Sequence, residues 1–199
     1  MKNIEEIVNN AEHWIKSIKI TEELVALREL GLLLCNNIHE KRSLLTIKKS
    51  EKINDILTSP VNLMNFNREE ILNFTKKISI SDTEYWNIKK EEKKIWTQFL
   101  GGIALSYARE GDLSVVAAII KASAHLNLKG EWISDATNFL LEQQQPDGYF
   151  GLFARELAIS HEEQKLNILL PLTVEILWAL AELTHQNNEQ ISFNKLSVS

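Results

Sequence analysis

Two charges sit where charge is expensive. Arg28 lies within Leu24-Val-Ala-Leu-Arg-Glu-Leu-Gly-Leu-Leu-Leu34, and Glu175 within Leu172-Thr-Val-Glu-Ile-Leu-Trp178. Burying an isolated ion costs several kcal/mol, so each needs a partner or a wet cavity. Two readings are open. The first makes both structural, as an ion pair or as charges at a helix edge. The second places them on a cavity wall, with Glu175 as a base or ligand anchor and Arg28 as an anchor for carboxylate or phosphate. Trp178, on the same apolar segment, is then a candidate for ligand contact. Asp147 and His161 are the other candidate acid–base groups, because both fall in connections between helices, where functional side chains concentrate. Tyr149 and Phe150, beside Asp147, are candidates to hold the local turn or touch a ligand. Arg155 can pair with Asp147 to fix that loop, or bind an anionic ligand at its rim.

Most other chemistry is excluded by residue type or spacing. The five histidines are His13, His39, His125, His161 and His185, and no two have metal-ligand spacing. His161-Glu-Glu-Gln-Lys165 lacks the second histidine of a zinc-protease helix. A single cysteine, Cys35, forbids an internal disulfide and a four-cysteine zinc site. No glycine-rich phosphate loop, nucleophile elbow or Cys–His pair occurs. No cofactor or metal is therefore expected. The formal net charge of −5, with Glu91 and Glu92 interrupting the lysine cluster from Lys89 to Lys94, gives no basic face for nucleic acid. The amino terminus carries acids where a signal peptide needs a basic and then an apolar stretch. The most apolar run, Ile168 to Leu183, contains Pro171, Glu175 and Glu182 and is short for a membrane span. The expectation is a cytoplasmic protein without a membrane span.

The elements that must position these groups are helical. Only 7 Gly and 3 Pro occur in 199 residues, and Leu, Ile, Glu and Lys dominate. Ile4, Ile7, Ala11, Trp14, Ile15 and Ile18 fall on one face of a helix over about 3–18. Leu24, Leu27, Leu30, Leu34 and Ile38 mark a second helix, expected to be the more buried because its apolar arc is wide. Further helices are expected over about 51–57, 68–78, 89–110, 113–127, 131–144, 152–159 and 167–184. Gly111 should end one and Asp112 cap the next. Pro171 should lie in the first turn of the last helix, or kink it. Residues 1–185 form one helical domain, with 186–199 as a flexible tail. The helices come as consecutive antiparallel pairs, and Ala11-Glu-His-Trp-Ile15 echoes Ala136-Thr-Asn-Phe-Leu140, each ahead of a strongly apolar helix.

The segment Phe139-Leu-Leu-Glu-Gln-Gln-Gln-Pro-Asp-Gly-Tyr-Phe-Gly151 is the most informative in the chain. It resembles the helix-end repeat of the terpenoid cyclase and protein prenyltransferase α/α-toroid superfamily. There an aromatic–aliphatic helix ends in glutamine, an Asp-Gly turn follows, and then an aromatic. The resemblance implies antiparallel helical hairpins in a partial toroid, with glutamine amides bonding across to the next helix end. Some bacterial proteins of this kind accompany natural-product pathways. The superfamily's chemistry does not come with it. The Asp-rich acid and metal motifs of the cyclases are missing, and Cys35 has no zinc-site context.

Three functions follow as expectations. One is a helical array whose concave face takes an apolar small molecule or peptide, as an accessory in natural-product biosynthesis. Another is an enzyme using Glu175, Asp147 or His161 as acid or base in a dry cavity. The last is a scaffold that pairs with a second copy, since an incomplete array leaves apolar end faces.

Overall fold

The structure is a computed structural model, and it describes residues 3–40, 67–80, 90–151 and 162–196. The described residues are all-α. The helices are α1 (Ile4–Ser17), α2 (Val25–Glu40), α3 (Arg68–Ile80), α4 (Lys90–Glu110), α5 (Leu113–His125), α6 (Glu131–Glu142) and α7 (Glu162–Leu196), with one 3-10 turn at Glu22–Leu24. The helices expected over 51–57 and 152–159 lie outside the described residues.

Local chemistry sets most boundaries. Asn3 caps α1 by accepting from the Glu5 N–H at 3.1 Å. Asn67 and Glu70 form a reciprocal capping box at the start of α3. The Glu70 N–H donates to Asn67 Oδ1 (3.1 Å), and the Asn67 N–H donates to Glu70 Oε2 (2.9 Å). Gly111, at φ 78°, ends α4. Its N–H reaches the Ala108 carbonyl, and the Asp112 N–H reaches the Tyr107 carbonyl. Asp112 then caps α5 by accepting from the Val115 N–H at 3.2 Å. One residue thus closes one helix and the next opens another, as the Gly-Asp dipeptide predicts.

The helices α2, α7 and α5 form a row, with α7 packed against both of the others. On its flanks α1 packs on α2, α3 and α4 pack on α5, and α6 packs on α4 and α5. The pairing of consecutive helices holds for α1 with α2 and for α4 with α5. It does not extend to α6, whose main neighbours are α4 and α5 rather than α7. The reason is that α5 offers apolar surface nearly all round: eleven of its residues are buried, from Leu113 to Ala124. By contrast α2 is no more buried than α1. Val25 and Leu33 are 45% and 48% exposed, so its wide apolar arc is only partly covered among the described residues. In α1 the buried stripe is Ile7, Val8, Ala11, Trp14 and Ile15, with Val8 taking the place expected for Ile4. Gly31 lets α2 sit tightly between its neighbours, because a Cβ there would meet Ile15 Cδ1 at 3.0 Å and Val174 Cγ2 at 3.1 Å.

The last helix departs most from expectation. It begins at Glu162 and runs to Leu196, so it passes through the region expected to be a tail, and Pro171 stands at its tenth residue. A proline there removes the bond to the Asn167 carbonyl. Leu166–Gln186 is long and apolar enough to cross a membrane by length and composition, which corrects the expectation that this run is too short. Half of that window is buried within the fold, and the apolar face is spent on α5 and α2.

Candidate functional site

Four helices bring one face each to a common cavity of about 420 Å³. Helical spacing selects the lining residues: Leu27 and Leu30 of α2, Arg68, Leu72 and Lys76 of α3, Ser114, Ala118 and Lys121 of α5, and Pro171, Val174, Glu175 and Trp178 of α7. The volume is in the range of small-molecule sites, and the wall is largely apolar with a few charges. Two other depressions carry less. One of about 480 Å³ is walled by Arg68 and Asp112, which satisfy each other. Another of about 350 Å³, between α6 and α7, holds one ionic side chain, Lys129.

Lys121 is the most unusual group of the cavity. It is a cation on the most buried helix, and only 8% of the residue is exposed. Its Nζ stands 4.3 Å from the centroid of the Trp178 ring, a cation–π contact. Burial holds its pKa below the ordinary lysine value, and Lys76 adds to this, while Glu175 and Glu182 oppose it. Glu175 is the mirror case. Burial raises its carboxyl pKa above the usual range, and Lys121 and Arg68 offset part of the rise. Among the described residues, neither Lys121 nor Glu175 has an ion-pair contact within 4 Å.

The surrounding charges are tied down. Arg68 forks onto Asp112, with Nε 2.5 Å from Oδ2 and Nη2 3.4 Å from Oδ1. Asp112 is thereby fixed by two tasks, capping α5 and holding α3 to it. Trp178 Nε1 donates to Glu182 Oε1 at 3.0 Å, and His125 Nε2 lies 3.3 Å from the same oxygen. Burial pushes the Glu182 carboxyl up, but the contacts to His125 and Trp178 outweigh it and leave the pKa below the usual range. Lys121 and His125 on α5 and Trp178 and Glu182 on α7 are both i, i+4 pairs, so the two helices face each other through one polar column.

The Gln-Asp-Gly turn is a second organised element, at a different place in the fold. The Gln144 side-chain amide donates to the Ile7 carbonyl (2.7 Å) and to the Gly148 carbonyl (3.0 Å). Gln145 Nε2 donates to the Gly151 carbonyl at 2.6 Å. The Phe150 N–H donates to Thr173 Oγ1 at 3.1 Å, which ties the turn to α7. Tyr149 tilts against Trp14, with ring centroids 5.5 Å apart.

The structure sorts the expected site residues. Glu175 and Trp178 come together on the cavity wall. Arg28 does not join them. Its Nη2 donates to the Lys16 carbonyl at 3.3 Å, closing the C-terminal end of α1. The cavity-wall and ion-pair readings of Arg28 with Glu175 therefore both give way to a capping contact. Asp147 is exposed on the turn and does not line the cavity, so it has no dry environment in which to work as an acid or base. Phe150 has no exposed surface and belongs to the core, the turn-holding alternative of its two readings. Tyr149 packs on Trp14 rather than on the cavity. His161 and Arg155 lie outside the described residues.

Sequence reasoning missed Lys121, Arg68 and Lys76. The signal for Lys121 was present: it is the lone ionic residue in Leu113-Ser-Val-Val-Ala-Ala-Ile-Ile-Lys-Ala-Ser-Ala, the same anomaly that marked Arg28 and Glu175. Arg68-Glu69 is a further Arg-Glu pair like Arg28-Glu29, Arg109-Glu110 and Arg155-Glu156, and carried no separate warning. Among the described residues no three His, Cys, Asp or Glu side chains gather as a metal site needs. No family model, characterised protein or solved structure matches this chain.

Proposed function

We propose that this is a binding protein whose cavity between α2, α3, α5 and α7 takes an apolar small molecule. One observation carries the reading. A largely apolar cavity of about 420 Å³ is lined by the buried Lys121 and the half-buried Glu175, which are of opposite sign and do not pair within 4 Å. A purely structural pair would gain most by closing that gap, since an unpaired buried charge is costly. The toroid-like arrangement expected from the Gln-Asp-Gly segment is part of the same proposal. It is supported by the Gln144 amide bonding across to α1 and by the row of α2, α7 and α5 flanked by the other helices. An accessory role in a natural-product pathway belongs to this proposal as an implication of the resemblance, and residence in the cytoplasm as the reading of the amino-terminal sequence.

Native mass spectrometry of the full chain from cell lysate tests it. The expected result is a discrete extra mass that is retained by the native protein and lost on denaturation. The reading fails if the native mass is that of the chain alone and no apolar compound in a screen raises the melting temperature.

The enzyme reading is favoured by one feature, the raised pKa of the Glu175 carboxyl on an apolar wall, as a general acid or base requires. It predicts that Glu175→Gln abolishes turnover of the retained compound while leaving it bound. Unchanged turnover would remove Glu175 from that role.

A further inference from the structure

We infer that the ligand of this cavity is an amphiphile with a single carboxylate head, seated on the Lys121 ammonium group with its apolar body against Leu27, Leu30, Leu72 and Val174. This deepens the proposed function and rests on the cavity being a ligand site. The argument begins with the cations. Three line the cavity, Arg68, Lys76 and Lys121, against one carboxylate, Glu175. Arg68 is spent on Asp112 through both arms of its fork. Lys76 stands exposed at the rim. Lys121 is 8% exposed as a residue, its Nζ lies over the face of Trp178 and, among the described residues, it has no hydrogen-bond acceptor from the protein. A ring face stabilises an ammonium group but accepts none of its three N–H donors as an oxygen does. An anionic oxygen arriving in the cavity would supply that acceptor.

The number of charges selects the head group. One ammonium on the wall, with a second at the rim, neutralises a monoanion. A phosphate monoester would bring close to two charges into a wall that also carries Glu175, and the one guanidinium fork is already occupied. The N-terminal end of α5, the nearest cluster of backbone donors on this wall, already carries the Asp112 carboxylate.

Calorimetric titration of the full-length protein with decanoate, decanol, decylamine and decyl phosphate tests the inference. Decanoate is expected to bind tightest, with one site per chain, and decylamine weakest. Lys121→Met keeps the length and apolar character of the side chain. It should lower decanoate affinity by roughly tenfold or more, the worth of a charged hydrogen bond, and leave decanol unchanged. Equal wild-type affinities for decanoate and decanol would overturn the carboxylate assignment while leaving the cavity reading intact. Tighter binding of decyl phosphate would overturn it in favour of a dianion. Full retention of the decanoate preference in Lys121→Met would remove Lys121 as the anchor. Failure of all four probes to bind would overturn this inference and the proposed function together. The wild-type comparison of acid with alcohol needs no variant, so it decides the matter even if the methionine substitution impairs folding.

Discussion

The two half-buried glutamates of α7 make opposite contributions to stability as pH changes. Glu175 has a folded pKa above its unfolded value, because burial dominates over Lys121 and Arg68. Its stabilising contribution is full below the ordinary carboxylate pKa and is lost as pH rises through the folded value. Glu182 has a folded pKa below its unfolded value: burial raises it, but His125 and Trp178 hold it down. Its contribution is present above the ordinary carboxylate pKa and is lost as pH falls through the folded value. Glu175→Gln should therefore lose less stability than wild type as pH rises from the carboxylate range. Glu182→Gln should lose less than wild type on acidification. Urea midpoints measured across pH check both, and parallel curves for variant and wild type would refute the assignment. Cys35 behaves as an inert core residue, its thiol pushed up to about 12, chiefly by burial. At this scale the sequence was partly legible. An ionisable residue inside an apolar run marks a special site, and that rule found Glu175. Applied to α5 it points equally to Lys121. What it cannot supply is the neighbour across the interface, which is why Arg28 was matched with Glu175 although the fold places it on the Lys16 carbonyl.

Among the elements, the Gln144–Gly151 turn depends most on a single backbone conformation. Gly148 has φ 103°, and a Cβ there would stand 2.2 Å from the Asn10 carbonyl oxygen and 3.1 Å from Trp14 Cβ. Both the dihedral and the space forbid a side chain. Gly148→Ala should cost about 1–3 kcal/mol or more, because the turn must lift off α1 to admit the methyl group. Chemical denaturation of the variant measures this, and a loss under a few tenths of a kcal/mol would show that the turn is not seated on α1. The caps were the most legible part of the fold. Gly111 and Asp112 stand where their types predict, and so does the start of α1. The end of α7 was not legible, because the polar residues after Thr184 compete only weakly against continuing a helix already nucleated and anchored upstream. Pro171 stands at the tenth residue of α7 rather than in its first turn, because the helix begins at Glu162, ahead of the apolar periodicity that marks it in the sequence.

For the molecule as a whole, stability should be graded from α5 outward. The stretch from Val115 to Ala124 is buried on every side, whereas α4 exposes Ile95 and Leu105 and keeps only Trp96, Leu100, Gly101 and Ala104 buried. Amide hydrogen exchange should therefore be slowest in α5, approaching the global unfolding free energy, and faster by orders of magnitude in the first turns of α4. Uniform protection of the two helices would contradict this gradient. Helix content and the all-α class were plain from composition and periodicity. The order of packing was not, because several helices carry comparable apolar faces and pattern alone does not say which face meets which. The choice of α4 and α5 over α7 as partners for α6 is decided by shape, as where the Trp132 ring rests against Gly101.

The bond from Gln144 to the Ile7 carbonyl spans 137 positions. During synthesis α1 can pack on α2 once both have left the ribosome, but the bond from Gln144 and the contact with α7 wait for the carboxy-terminal half. At ordinary translation rates of about 5–20 residues per second that interval is roughly 10–30 s. The first hairpin is thus completed only by its own carboxy-terminal half, and interrupted synthesis would release a fragment with part of its apolar surface uncovered.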